Sequence, residues 1–333
     1  MIAVLAWALV SSLVLFVGYN LFVLRSPVSK VVRELTSVVS SPVRNTTTSA
    51  CRLTIVDVPG ASWLHTQLNP GLIVRHGDGS WDHVVHKIDQ EQRLCMAYRQ
   101  CKFGIPTWNR TWLCDVSLGD LRAQRPRMIS ADSRLEDPRL FSYDGELHVA
   151  VSMVSMGATM AKQIVIPLRS KKVIRSPLNS YVSEMHIEKN WQFFEYRRKK
   201  YVVYMVQPLR IFELTGDDLR PVAKVAEQDW TAPDKAQLRG GAPPVFLSDR
   251  FYMVVHSKDY KIYILTFDRS FNMIGCTNRP LLTLPGHYIY FPCGLVYDER
   301  ADAFLVSTGI NNKQIGILTL QKSYVDNLLE RVF

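Results

Sequence analysis

The stretch SRLEDPRLFSYDGELHVAVSMV, residues 133–154, has the pattern of two β-strands joined by the turn Tyr143-Asp144-Gly145-Glu146. An Asp-Gly pair between two such runs is a strong hairpin signal. The first run carries adjacent carboxylates, Glu136 and Asp137, which are flanked by two arginines and followed by a proline. Because consecutive strand residues face opposite ways, we expect the two carboxylates to lie in different environments.

Short runs rich in Val, Ile, Tyr and Phe recur on both sides of this hairpin. They are Leu72–Arg75, Arg93–Tyr98, Leu147–Val154, Gln163–Pro167, Lys200–Val206, Phe251–His256, Lys261–Phe267, Ala303–Ser307 and Ile315–Leu320. An amphipathic helix is expected only at Gln321–Val332. Many short strands at regular spacing indicate a sandwich, a barrel or a propeller. Since about 270 residues divide into five blades of roughly 50, we predict an all-β fold, a five-bladed β-propeller.

The N-terminus predicts a membrane anchor. No charged residue occurs from Ile2 to Leu24, and a membrane-spanning helix needs about 20 apolar residues. We therefore expect one transmembrane helix in residues 1–24, a Ser/Thr-rich stem in residues 25–50 and the propeller as the catalytic domain in residues 51–333. A cleaved signal peptide is the alternative for the apolar segment.

Two signals disagree about the orientation of this anchor. Arg25, Lys30 and Arg33 follow the helix, and the positive-inside rule would place that side in the cytoplasm. The sequons at Asn45 and Asn109 instead favour a globular part in the ER or Golgi lumen or outside the cell. We expect the second arrangement, with residues 2–24 as the membrane contact.

Composition limits the partners, disulfides and metal sites that the chain can have. The net charge is +10, but the 40 basic residues are dispersed, so no nucleic-acid partner is expected. The 6 cysteines contain no C-x-x-C pair, and Cys95, Cys101 and Cys114 leave disulfides and buried thiols equally open. His83 and His86 are spaced three apart, but their segment is predicted as strand or loop, so no metal and no cofactor is expected.

Polar or Gly/Pro clusters stand at the edges of several predicted strands. Besides Glu136–Arg139 they are Asn69-Pro70, Tyr98-Arg99, Lys189-Asn190, Gly240–Pro244, His256 with Tyr260, Phe291–Gly294 and Ser307–Asn312. This ordered set resembles glycoside hydrolase family 130, the β-mannoside phosphorylases and hydrolases. It is also similar to the related glycosyltransferase family 108 of β-1,2-mannosyltransferases. The resemblance extends over about residues 69–316.

The resemblance implies a sugar site at the propeller axis. It implies that Asp137 is the catalytic acid/base and that the substrate-binding residues are Asn69, Arg99, Arg139, Lys189, Asn190, Gln207, His256, Tyr260 and Asn312. Two of these positions depart from the family pattern. Gln207 replaces a phosphate-clamping arginine, and Asn312 replaces a sugar-binding aspartate. A neutral amide cannot make the charge-assisted bonds that phosphate requires.

We therefore expect an anchored glycosyltransferase-like enzyme that transfers or processes β-linked mannose or a similar hexose. The expected partners are a carbohydrate acceptor and a nucleotide sugar such as GDP-mannose. A β-mannoside hydrolase or phosphorylase is one alternative. A sugar-binding propeller without catalysis is the other, because Gln207 and Asn312 are altered.

Overall fold

The computed structural model describes residues 46–47, 50–58, 65–102, 109–154, 161–169, 174–175, 189–215, 218–222, 230–282, 289–311 and 313–332. They all belong to one of two compact units of the chain, residues 44–284 with 288–333. The predicted anchor, residues 1–24, and nearly all of the predicted stem lie outside the described residues. Within the described ranges, no helix has the length and apolarity needed to cross a membrane.

The described residues form strands almost throughout. In chain order they are β1 (Thr46–Thr47), β2 (Cys51–Val56), β3 (His65–Arg75), β4 (Trp81–Asp82), β5 (Val84–Val85), β6 (Arg93–Lys102), β7 (Asn109–Val116), β8 (Ala123–Ser130), β9 (Leu135–Tyr143), β10 (Glu146–Val154), β11 (Ala161–Pro167), β12 (Ile174–Arg175), β13 (Gln192–Tyr196), β14 (Lys199–Val206), β15 (Leu209–Thr215), β16 (Asp218–Pro221), β17 (Leu238–Gly240), β18 (Val245–Leu247), β19 (Arg250–Ser257), β20 (Ile262–Asp268), β21 (Met273–Thr277), β22 (Tyr290–Asp298), β23 (Ala303–Ile310), β24 (Gln314–Gln321) and β25 (Leu329–Arg331). One α-helix, α1 (Lys322–Leu328), and a 3₁₀ turn at Pro233–Lys235 complete the described elements.

These strands pair into five sheets, which are the blades of a five-bladed β-propeller. Blade one has the order β4-β3-β6-β7-β8, blade two β9-β10-β11-β12 and blade three β13-β14-β15-β16. Blade four has the order β17-β19-β20-β21-β25, with β18 also on β19, and blade five β5-β22-β23-β24-β2-β1. The first long strands of the blades contact one another, β3 with β9 and β22, and β9 with β13. The predicted fold class is confirmed.

The ring is closed by strands from the two ends of the domain. β2 pairs antiparallel with β24, from Cys51 opposite Leu320 to Val56 opposite Ile315. Blade five is therefore built from both chain ends, which removes a free sheet edge. β5, which lies in the connection between β3 and β6 of blade one, also pairs in parallel with the end of β22.

Apolar clusters fill the spaces between neighbouring blades. Leu72 and Met96 of blade one pack with Val296 and Ile317 of blade five. The same arrangement repeats between blades one and two, two and three, and three and four. Successive side chains of a strand point to opposite faces of its blade, and each face packs against a neighbouring blade. This burial of apolar side chains is the main stabilising contribution to the ring.

The C-terminus differs in part from the prediction. A helix was expected over Gln321–Val332, but α1 ends at Leu328 and the chain continues as β25. Val325 and Leu328 face the core, while Leu329–Arg331 pair with the outer strand β21. The apolar spacing correctly indicated a helix, but the open edge of β21 offers backbone hydrogen bonds that end it early.

Candidate functional site

Two β-bulges in neighbouring blades, one on β3 and one on β9, position the first two side chains of the site. On β3, Asn69 and Pro70 together oppose a single residue of β6. On β9, Asp137 and Pro138 likewise oppose one residue of β10. Asn69 and Asp137 have positive φ angles of 55° and 54°, a conformation that Asn and Asp tolerate better than most residues. Bulges re-aim side chains, and here both point to one place.

Asn69 and Asp137 are in direct contact. The Asn69 Nδ2 donates a hydrogen bond to Asp137 Oδ1, and both side chains are buried, with Asp137 only 4% exposed. Gly309 of β23 lies against Asn69, and a Cβ at that glycine would stand 2.7 Å from the Asn69 backbone nitrogen. Blades one, two and five therefore meet at the predicted catalytic carboxylate.

The second carboxylate of the motif has a different environment, as the alternation of strand residues predicts. Glu136 Oε1 lies 2.7 Å from Arg99 Nη1 on β6, and Glu136 is 31% exposed. Burial would lower the pKa of Arg99, but the neighbouring Glu136 and Asp137 outweigh it and raise that pKa. Arg99 Nε is buried and has no hydrogen-bond partner among the described residues.

Arg139 is a fully buried cation that connects blades. Its Nε donates to the Gly241 carbonyl at 2.8 Å, its Nη1 to the Asp137 carbonyl at 3.0 Å and its Nη2 to Asn190 Oδ1 at 3.0 Å. Its Cζ also lies 5.9 Å from the ring centroid of Phe291. The guanidinium thus joins blade two to blades three, four and five, and its described contacts are all to protein groups.

The Lys189-Asn190 pair stands directly before β13. Asn190 is buried with φ of 68°, so its amide turns toward Arg139. Its carbonyl accepts a hydrogen bond from Gln192 Nε2 at 2.9 Å. Lys189 is half-buried beside it. The structure brings Asn190 together with Arg139 and, through it, with Asp137.

His256 faces the same group from blade four. Its Nδ1 lies 2.9 Å from the Ser257 carbonyl, so the proton is on Nδ1 and Nε2 carries the lone pair. Burial, with smaller contributions from two nearby arginines, lowers its pKa from 6.5 to about 4. The ring stacks on Tyr260 at 5.8 Å and packs on Phe291 at 4.7 Å.

Gln207 bonds to backbone groups between blades three and four. Its Nε2 donates to the Trp230 carbonyl at 3.3 Å, and its Oε1 accepts from the Leu238 backbone nitrogen at 3.0 Å. Both ends of the amide therefore hold the segment that leads from blade three to blade four. Asn312 lies outside the described residues, while the neighbouring Asn311 bonds both ways to the backbone of Ile289.

Sequence reasoning missed three contributors to the site. They are the Gly241 carbonyl, the Phe291 ring and Cys293, a free thiol whose pKa is raised to about 12 by burial beneath the cluster. All three lie in clusters that the sequence marked as Gly/Pro-rich strand edges. The composition indicated these clusters. A single sequence does not show which backbone carbonyl accepts a hydrogen bond or which side chain packs against the site.

Three polar atoms of this group remain without partners. They are Asn69 Oδ1, Arg99 Nε and His256 Nε2, all buried and without a hydrogen bond to any described residue. Buried polar atoms are nearly always paired in folded proteins. We call Asn69, Arg99, Asp137, Arg139, Asn190 and His256 the axial site.

The comparisons with known proteins concern the fold. No protein-family model matches the chain, and no curated protein matches it. Among solved structures, the chain is similar to a β-1,2-mannobiose phosphorylase from Listeria innocua, with 9% identity, 85% of this chain and 90% of that chain covered, and a TM-score of 0.50.

It is also similar to a hypothetical protein from Leishmania major, with 14% identity, 80% and 88% covered, and a TM-score of 0.54. A third similar structure is a candidate glycoside hydrolase from Bacteroides ovatus, with 12% identity, 77% and 87% covered, and a TM-score of 0.53. At these identities the likeness establishes the propeller fold.

Proposed function

We propose that the axial site binds a β-linked mannose or a similar hexose and that Asp137 acts there as the acid/base of a glycosyl transfer. The observation that carries the proposal is a buried carboxylate surrounded by three unpartnered polar atoms, Asn69 Oδ1, Arg99 Nε and His256 Nε2. Sugar hydroxyls both donate and accept hydrogen bonds. One ring could therefore accept from Arg99 and donate to the other two atoms.

The sugar class follows from the fold likeness and the motif resemblance together. A similar solved structure is named as a β-1,2-mannobiose phosphorylase and contains β-1,2-mannobiose. Of the residues that match the mannoside motifs, Asn69, Arg99, Asp137, Arg139, Asn190 and His256 form the axial site, whereas the Gln207 amide is bonded to backbone groups. Gln207 is one of the two positions that the sequence marked as altered.

The charges at the site favour transfer over phosphorolysis. Inorganic phosphate requires cations that make short charge-assisted bonds. His256 is neutral at pH 7 because of burial, and the Gln207 amide is occupied by two backbone groups. Arg139 is occupied by three protein acceptors. Of the positions that the resemblance links to phosphate, namely Gln207, His256 and Tyr260, none therefore supplies a positive charge.

The carboxylates favour transfer over hydrolysis. A hydrolase that inverts needs a second carboxylate to activate water, about 6.5–9.5 Å from the acid. Glu136, the neighbouring candidate, is held by Arg99 at 2.7 Å. In transfer one base suffices. The Asp137 carboxylate takes the proton of an acceptor hydroxyl, whose oxygen bonds to the anomeric carbon of the donor while the bond to the leaving diphosphate breaks.

The test compares three reactions of the purified full-length chain. GDP-mannose with a mannoside acceptor tests transfer, an aryl β-mannoside tests hydrolysis, and mannobiose with phosphate tests phosphorolysis. Release of GDP together with an extended acceptor is expected. Asp137→Asn should lower this rate about 10²–10⁴-fold, the usual contribution of acid/base catalysis.

The matched control is Asp132→Asn on the same segment. Asp132 Oδ1 accepts the Arg134 backbone nitrogen at 3.0 Å, a bond that an asparagine retains, and it lies outside the axial site. Full activity is expected for this variant. Free mannose as the main product would favour the hydrolase. Absence of all three reactions, with glycan binding retained, would favour a non-catalytic sugar-binding propeller.

A further inference from the structure

A second polar cluster lies away from the axial site, in the connection between β3 and β6. It contains His76 at the end of β3, Asp82 at the end of β4 and His86 just after β5. One ligand atom of each residue can be chosen so that all three lie within 4.8 Å of one another. Gaps of six and four residues match no familiar metal motif, so this set of three residues was not predicted from the sequence.

The two distances from Asp82 to the imidazoles match those of groups that share one ion. His76 Nε2 lies 3.2 Å from Asp82 Oδ2, and His86 Nε2 lies 3.4 Å from the same oxygen. Ligands at about 2.0–2.1 Å from a tetrahedral metal stand about 3.3–3.4 Å apart. The side chain of His76 is only 8% exposed, yet its Nε2 makes no hydrogen bond within the described residues. A buried nitrogen without a hydrogen bond thus lies beside Asp82 in the cluster.

The outer nitrogen of each imidazole lies near a carboxylate, and that of His76 also accepts a hydrogen bond from Gln92 Nε2. His76 Nδ1 lies 3.4 Å from Asp89 Oδ2 and 2.9 Å from the Gln92 amide. His86 Nδ1 lies 3.4 Å from Glu299 Oε2. A carboxylate that accepts from Nδ1, as Glu299 can for His86, fixes the tautomer whose Nε2 is free to bind a metal, an arrangement that metal-binding histidines almost always show.

We propose that His76, Asp82 and His86 form a zinc site, with water completing a tetrahedron. Two imidazoles and one carboxylate suit Zn²⁺ and other first-row transition ions, whereas Mg²⁺ and Ca²⁺ prefer oxygen ligands alone. Asp78 and Glu91 line the same pocket and add negative charge that attracts a cation. His86 is 46% exposed, so its side chain can move toward an ion bound by His76 and Asp82.

The position of the site indicates its role. β5 carries the chain from Asp82 to His86 and pairs with Tyr297 and Asp298 of blade five. Glu299, the partner of His86, lies in the turn that follows. An ion here would hold a connection of blade one against the blade that closes the ring, so zinc stabilises the closed propeller.

The experiment uses the full-length chain without a polyhistidine tag, freed of metal by chelator and titrated with ZnCl₂ by calorimetry. One equivalent of zinc should bind at micromolar concentration or below. At a hundredfold excess over the dissociation constant, Tm should rise by about 5 °C or more. Co²⁺ in its place should give the visible absorption of a tetrahedral site, and MgCl₂ at equal concentration should not compete.

Two variants each remove one proposed ligand without creating a cavity in the apolar core. His86→Ala truncates a half-exposed ring. Asp82→Asn keeps the oxygen that accepts the Val84 backbone nitrogen at 2.5 Å. Each should weaken zinc binding at least about 100-fold and abolish the rise in Tm. Glu299→Gln should weaken it about 10–100-fold, as loss of an outer partner does.

The matched control is Asp78→Asn, which removes one charge from the same pocket and keeps the bond to the Ser80 backbone nitrogen. It should bind zinc within about threefold of the unaltered chain. The proposal is overturned if the unaltered chain binds no zinc, if His86→Ala binds it equally well, or if Asp78→Asn loses as much affinity as His86→Ala.

Discussion

The buried Arg139 predicts how strongly the axial site depends on the geometry of one side chain. Its guanidinium makes three hydrogen bonds of 2.8–3.0 Å to acceptors in three blades, and its exposure is 0%. Arg139→Lys retains the positive charge but replaces a planar five-donor group by a compact ammonium on a flexible four-carbon stem. The variant therefore separates the effect of hydrogen-bond geometry from that of charge.

The magnitude follows from the acceptors that are left without a donor. An ammonium at this position reaches one of the three, and two buried oxygens among Gly241 O, Asp137 O and Asn190 Oδ1 lose their donors. Each such loss costs about 1–3 kcal/mol, so the free energy of unfolding should fall by about 4 kcal/mol. In a domain of this size that corresponds to a fall in Tm of about 10 °C.

Chemical denaturation followed by tryptophan fluorescence measures the change, because Trp191 lies next to Asn190 and is buried. The matched control is Arg134→Lys, since Arg134 pairs with Asp132 at the surface and is 54% exposed. It should leave the midpoint almost unchanged. If Arg139→Lys stays within about 1 kcal/mol of the unaltered chain at the same m-value, the inter-blade bonding described for Arg139 is refuted.

Two further predictions concern stability. The pKa of His256 is lowered from 6.5 to about 4, so between these values the unfolded chain binds more protons and stability falls as pH falls. Between pH 7 and pH 4, His256 should account for a fall of about 3 kcal/mol in the free energy of unfolding. His256→Phe should remove this part of the pH dependence, which denaturation midpoints at the two pH values measure. Gly309→Ala puts a Cβ 2.7 Å from the Asn69 nitrogen and should cost about 1–3 kcal/mol. Gly119→Ala, whose nearest contact is 3.9 Å, should unfold like the unaltered chain.

The blades could be read from the sequence because each strand alternates and each turn is marked. The run Leu147–Val154, for example, coincides with all but the first residue of β10. Closure of the ring by β2 was not predicted, since pairing between Cys51 and Leu320 joins residues that only the complete fold brings together. The end of α1 was misplaced for the same reason, because β21 lies far away in sequence.

The residue types of the site were predictable, but not the role of each. Asn69, Asp137 and Asn190 meet as the motif order implied. The bulges that turn them were not predicted, because the register against β6 and β10 exists only once the blades have formed. Arg139 and Gln207 show the same limit. Each is a strong hydrogen-bonding group, and the sequence alone cannot tell whether its partner is a ligand or a backbone carbonyl.

The axial site is built from the contacts that also hold the ring together. The Ser307 hydroxyl of β23 donates to the Pro70 carbonyl within the bulge of β3, and Arg139 joins blade two to three other blades. Asp137 differs from these groups, because among the described residues the hydrogen bond to its carboxylate comes from Asn69 alone. An asparagine at position 137 can still accept that bond through its amide oxygen. Asp137→Asn should therefore remove the acid/base while leaving the contacts between blades intact. Loss of Arg139 instead removes contacts that hold the blades together.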